Sequence, residues 1–324
     1  MTQKNLGSST GSTRVILLLF LSVSMISSGS ILIRLSNSPA IVVVFWRALY
    51  GSAVMALLGI ANGDLGGFRS QTFRANRKWL VLIGIVLSLH FSTWFISLDL
   101  TTVAASVVLV NTSPIFTAIM STVLIGEALR RRSWIGIIGA VTGALMLAWS
   151  DLVSQGIGAL SGDFLAILGA VFLAMYFIGG RRYAKGIPIT VYTSSIYLVA
   201  AVFTFFFSST LAPFVPGIPA APDFIVFEPY EVMIFLALAV FPTALGHSVN
   251  NYLLTIVPAY VVSSAVLGEP IGATLLAMVF LGEFPTALTM LGFVVIILGV
   301  GLVLADIALT ERDEESALDD TNRS

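Results

Sequence analysis

The charges of this chain are confined almost entirely to the spacers between long apolar runs. A helix crosses the hydrocarbon core of a bilayer with about 20 apolar residues. Ten runs approach that length: 15–33, 39–60, 79–98, 101–124, 134–150, 162–180, 190–208, 231–250, 257–281 and 285–307. Soluble domains carry about 25% charged residues, whereas this chain has 10%, with 57% hydrophobic residues and a mean hydropathy of +0.99. It has too few charges to cover a globule in water. The expected fold is an all-α polytopic membrane protein of ten transmembrane helices. The first run follows Lys4 and Arg14 as a signal peptide would, but it reaches Arg34 without a small-x-small cleavage site and reads as a retained span. The segment 211–229 contains Pro213, Pro216, Pro219, Pro222 and Pro229, so it cannot be one helix.

Basic residues orient the spans, because cytoplasmic loops collect Lys and Arg. With the N-terminus inside, Lys4, Arg14, Arg69, Arg74, Arg77, Lys78, Arg130, Arg131, Arg132, Arg181, Arg182, Lys185, Arg312 and Arg323 all fall on the inner side. Asp99, Asp151, Asp163, Asp223, Glu228 and Glu231 fall on the other. This places the chain in the cell (inner) membrane with both termini cytoplasmic. Residues 1–14 form the N-terminal tail, and 308–324 an acidic tail expected to be disordered.

The chain also repeats itself. Shifted by one fixed offset, Pro114 and Ile115 meet Pro270 and Ile271, Gly126-Glu127 meets Gly282-Glu283, Gly136 meets Gly292, and Gly143 meets Gly299. The expected halves are 15–150 and 162–307, each with five spans. An odd number of spans inverts the second half relative to the first. Inverted repeats are a mark of secondary transporters, whose substrate sites lie near the midplane between the halves.

The pattern of Pro, about ten apolar residues and Gly-Glu closing the fourth and ninth spans resembles the EamA-type carriers of the drug/metabolite transporter superfamily. Glu269-Pro270 in the ninth span and Arg47 in the second (VVVFWRALYGSAVMALL) resemble that family too. The resemblance covers about residues 15–307. It implies ten helices in two inverted five-helix repeats around a central cavity, and transport of a small molecule. It does not choose among amino acids, sugars, nucleotide sugars and other metabolites or drugs.

Two ionised residues lie deep within spans. Glu269 is about twelve residues into the ninth. A central charge costs about 2.5–3.5 kcal/mol to insert, so it needs a cavity, a partner or a proton. Pro270 removes an N–H from the helix and Gly268 permits a kink, so a carboxylate and a free carbonyl are expected together. The alternative is a structural ion pair or a bend that shapes packing. Arg47 lies eight residues beyond Pro39, about 12 Å along the helix, too deep for easy snorkelling. Either it pairs with Glu269 across the halves or its planar fork binds a substrate carboxylate or phosphate.

His90 shares a helical face with Trp94 and Ser97, and His247 shares one with Thr243, Asn250 and Asn251. These stripes suit a proton relay or substrate contact, or plain interhelical hydrogen bonds. Asn111, three residues before Pro114, either satisfies a freed backbone group or reads substrate. Tyr50 and Tyr176 are candidate cavity lining. Glu127 and Glu283 end their helices and read as structural. Gly139-x-x-x-Gly143 and Gly268-x-x-x-Gly272 permit close helix approach.

Other function classes are poorly served. There are no cysteines and two histidines, which excludes thiolate chemistry and disfavours a metal site. No cofactor is expected. No basic face suits nucleic acid. No Walker sequence occurs, and the spans contain no HExxH, no GxSxG and no paired aspartates, so neither an ATP-driven pump nor an intramembrane enzyme is favoured. A scaffold role sits poorly with two midplane charges. The expected partners are a small-molecule substrate and the bilayer, with protons a candidate coupling ion.

Overall fold

The computed structural model describes residues 9–101, 103–154, 160–214, 217–282 and 284–323. They are almost wholly helical: α1 (Ser9–Leu35), α2 (Ala40–Ala61), α3 (Gln71–Leu100), α4 (Val103–Val110), α5 (Ser113–Ile125), α6 (Arg131–Ser154), α7 (Leu160–Tyr183), α8 (Ile189–Leu211), α9 (Pro229–Leu238), α10 (Ser248–Leu254), α11 (Ala259–Val266), α12 (Glu269–Leu281) and α13 (Ala287–Arg323). A π-helical stretch, Ala239–His247, joins α9 to α10. Eight segments among the described residues are long and apolar enough to cross a membrane, and Ser113–Ile125 is a shorter apolar helix.

The helices end where their sequences dictate. Pro39 and Pro188 precede α2 and α8, where a missing N–H costs nothing. The Ser70 hydroxyl accepts the Phe73 N–H at the start of α3. Gly126 and Gly282, matched in the repeat, both adopt left-handed backbone (φ 73° and 69°) just after α5 and α12, a conformation glycine supplies without a Cβ clash. The shared Gly-Glu is therefore first of all a helix stop. Between α8 and α9, the described residues of the Pro-rich segment contain one short 3₁₀ turn, Ala221–Phe224. The last helix continues through the acidic stretch expected to be disordered, to Arg323. Extending a formed helix avoids the cost of nucleation, and this stretch is rich in Ala, Leu and Glu.

Buried faces meet across the bundle: α3 packs on α7, α2 on α8, α6 on α13, and α1 on α12 and the π-helical stretch. Large apolar side chains such as Leu57, Phe206, Val279 and Leu298 face outward, as a lipid-facing surface requires. The α6–α13 contact is backbone against backbone. A Cβ on Gly136 would stand 2.6 Å from the Gly299 carbonyl oxygen, and one on Gly143 2.8 Å from that of Gly292. The start of α6 thus lies beside the later part of α13, so the two helices run antiparallel. The four glycines matched in the repeat make this contact. Gly139, expected to serve close approach, instead faces open space.

Gly136→Ala should therefore force α6 and α13 apart and destabilise the protein by about 1–3 kcal/mol. Gly139→Ala should be neutral or stabilise it by up to about 1 kcal/mol. Thermal unfolding in detergent, followed by loss of the monodisperse peak, checks both.

Candidate functional site

Two spans are broken rather than kinked. The 101–124 run divides into α4 and α5 at Asn111-Thr112, and the 257–281 run into α11 and α12 at Leu267-Gly268. Pro114 and Pro270 each occupy the second position of the helix that follows, where their missing N–H is harmless. The breaks occur at matched places in the repeat. Both open onto one cavity, lined by Asn111 from one break and Val266 and Glu269 from the other. Glu269 starts α12, so its carboxylate sits at the positive end of a helix dipole. Free carbonyls at the ends of α4 and α11 are largely recovered locally. Asn111 donates through N and Nδ2 to the Val107 carbonyl (3.0 and 2.8 Å), and Gly268 N donates to Ala265 O at 2.9 Å.

Arg47, His90, Trp94 and His247 line the same cavity, with Ile26, Gly29, Leu173, Phe177 and Pro242 among its apolar walls. The space open to the centre of a water molecule is about 30 Å³, room for about two waters. Arg47 is buried. Its Nε and Nη2 donate to Thr243 Oγ1, both at 3.3 Å, and its guanidinium lies 4.2 Å from the centre of the Phe91 ring. Arg47 and Glu269 share the cavity without making a direct ion pair. The expected pairing is replaced by one hydroxyl and one aromatic face, which leaves much of the fork's donor capacity unused.

The histidines differ. His90 Nδ1 is 2.8 Å from the Gly169 carbonyl and its ring stacks 6.0 Å from that of Trp94. His247 Nδ1 and Trp94 Nε1 are buried without a hydrogen-bond partner, although both residues line the cavity. Such groups cost about 1–3 kcal/mol each unless something binds them. The two candidate tyrosines are elsewhere. Tyr50 is half-buried against Trp46, with ring centres 5.0 Å apart. Tyr176 is fully buried and accepts a hydrogen bond from Asn251 Nδ2 at 2.5 Å. Neither side chain is among those lining the cavity.

Sequence patterning missed Phe91 and Pro242. Phe91 looks like any apolar residue until Arg47 is placed over it. Pro242 carried a signal, since a proline inside an apolar run marks an irregular helix. Here it lies in the π-helical stretch, where Thr243 Oγ1 donates to Leu238 O at 2.8 Å. Such stretches are frequent at functional sites.

Polar clasps close opposite ends of the bundle. At one, Glu231 accepts from Ser36 Oγ (2.6 Å), Ser38 Oγ (2.9 Å), Asn37 N (2.8 Å) and Asn37 Nδ2 (3.2 Å). At the other, Arg181 Nε donates to Glu127 Oε1 at 2.6 Å and Arg181 Nη1 to the Leu254 carbonyl at 3.1 Å, while Ala259 N donates to Glu127 Oε2 at 3.4 Å. Each clasp joins the first half of the chain to the second. Glu127 thus bonds neighbouring helix ends, and Glu283 lies outside the described residues.

The sequence profile of the EamA-like transporter family matches residues 13–149 and, a second time, residues 160–305. The chain belongs to the EamA-like transporter family. It is 25% identical over 170 residues to the uncharacterized transporter YyaM of Bacillus subtilis (strain 168), a match covering 51% of this chain and 55% of that protein. It is 24% identical over 265 residues to the uncharacterized transporter YdfC of the same organism, covering 79% of this chain and 78% of that protein. The chain thus spans little more than half of YyaM and about three-quarters of YdfC. A crystal structure superposes with a TM-score of 0.74 at 19% identity, over 90% of this chain and 97% of that one, a likeness of fold. As an EamA-like protein with eight apolar membrane-length segments among its described residues, the chain is an integral membrane protein of a transporter family.

Trp94→Phe should destabilise less than Asn111→Ala, because relief of the unpartnered indole N–H offsets the packing lost with the smaller ring. Asn111→Ala should cost about 1 kcal/mol, because it removes the bond to Val107. Melting temperatures of the detergent-purified variants compare the two.

Proposed function

We propose that this EamA-like protein is a secondary transporter that moves a small metabolite across the cytoplasmic membrane by alternating access. The observation that carries the reading is the cavity itself. It brings an incompletely used guanidinium, a carboxylate and two unpartnered polar atoms to the point where two broken helices meet. Discontinuous helices at a repeat interface are how many transporters present helix ends to a substrate. The antiparallel packing of α6 on α13, the last helices of the two matched repeats, supports an inverted relation between the halves and ten spans. The basic residues support cytoplasmic termini.

Arg47 suits a substrate carboxylate, and Glu269 suits an amino group. A zwitterion satisfies both, so amino acids and related compounds are the favoured class. Glu269 is also the acid that would carry a coupling proton. The cavity is too small for such a solute as it stands, so admitting one requires the halves to part at one clasp or the other.

Proteoliposomes offered a mixed metabolite panel, with and without a proton gradient, should accumulate an amino-acid-like compound above empty vesicles. Glu269→Gln and Arg47→Gln should each reduce the initial rate at least about 10-fold, about 1.4 kcal/mol of barrier, while the purified proteins remain monodisperse. Full transport by both variants would falsify the assignment of the site.

A further inference from the structure

Below the cavity, between His247 and the Arg181 clasp, the bundle is filled by polar side chains. Tyr176, Tyr192, Tyr197, Ser248 and Asn251 come from α7, α8 and α10, and each is at most 4% exposed. Asn251 Nδ2 bonds Tyr176, and Tyr197 Oη lies 3.1 Å from Ser248 Oγ. The Tyr192 hydroxyl and Asn251 Oδ1 have no partner. Both approach Gly180, where an added Cβ would stand 3.3 Å from the hydroxyl and 3.6 Å from the amide oxygen. Thr243 links this layer to the cavity, since its hydroxyl accepts from Arg47 and its carbonyl lies 3.4 Å from Tyr197 Oη.

Apolar side chains would fill this space without the penalty of unsatisfied polar groups. A packed polar layer with orphaned atoms is costly in the closed arrangement and suits one in which water or solute reaches it. The clasp decides whether that happens. Arg181 follows Gly180 directly, and its bond to the Leu254 carbonyl holds the end of α10 over this layer. The Leu254 side chain lies 2.8 Å from the Cβ position of Gly180.

We propose that this tyrosine-asparagine layer is a second, uncharged binding station for the solute, forming the cytoplasmic half of its path, and that the Glu127–Arg181 clasp keeps it closed. This rests on the transport reading above. Hydroxyls and amides, without a fixed charge, suit a small polar solute that brings its own donors and acceptors. They do not suit a metal ion or a lipid chain.

The chain has no cysteine, so one introduced thiol reports alone. In the full-length protein in liposomes, Ser248→Cys should react slowly with a small water-soluble methanethiosulfonate. Adding Glu127→Gln or Arg181→Gln should accelerate that reaction about 10-fold, within the usual range for coupled sites. The exchange of charges, Glu127→Arg with Arg181→Glu, should restore the slow rate. Ala140→Cys, buried between α6 and α13, should stay unreactive throughout. Unchanged Ser248→Cys labelling after the clasp is broken overturns the proposal, as does equal acceleration at Ala140→Cys. The labelling needs no transported solute, so it stands or fails separately from the uptake assay.

Discussion

A backbone N–H or carbonyl in hydrocarbon has no water to turn to. That constraint makes the described residues of this chain helical almost without interruption, and it gives the interruptions meaning. The two broken spans and the π-helical stretch place their irregular backbone against the cavity rather than against lipid. Asn111 shows how one break is kept tolerable, by returning its amide to the Val107 carbonyl. Glu269 shows how the other is used, by holding a carboxylate at a helix start. The two charges set deepest in the apolar runs, Arg47 and Glu269, therefore face the same space.

The charged residues of the cavity and the clasps do two different jobs. Arg47 and Glu269 line the cavity without pairing directly, so each keeps capacity for a ligand. Glu231 and Glu127 instead satisfy several donors each and tie the halves together at opposite ends. Lipid-facing positions carry apolar side chains. A site between two clasps, with room for about two waters, is a closed arrangement. On the proposed transport reading, admitting a solute requires the halves to move apart.

Much of this was legible in the sequence, for identifiable reasons. Apolar run length locates the helices because lipid imposes a length, and Pro114, Pro270, Gly126 and Gly282 locate breaks and stops because their backbone chemistry is local. Arg47, Glu269, His90, His247, Asn111 and Trp94 were candidates because polar groups deep in apolar runs need a reason, and the fold brings them to one cavity. Contacts that depend on tertiary register were not legible. The sequence could not say that Arg47 bonds Thr243 and covers Phe91 rather than meeting Glu269, that Tyr50 and Tyr176 lie outside the cavity lining, or that Gly136 and not Gly139 meets α13. The acidic end of α13 was misjudged because composition alone ignores the helix it extends.

On the proposed function, the cavity between the broken helices holds the transported solute. Trp94 reports on it directly, since its unpartnered indole N–H lies in the wall. The decisive measurement is emission from a variant in which Trp94 is the sole tryptophan, titrated with the solute that its proteoliposomes accumulate. A saturable change in emission that Arg47→Gln abolishes is the expected result. Transport by that variant with no change in Trp94 emission at saturating solute would contradict it.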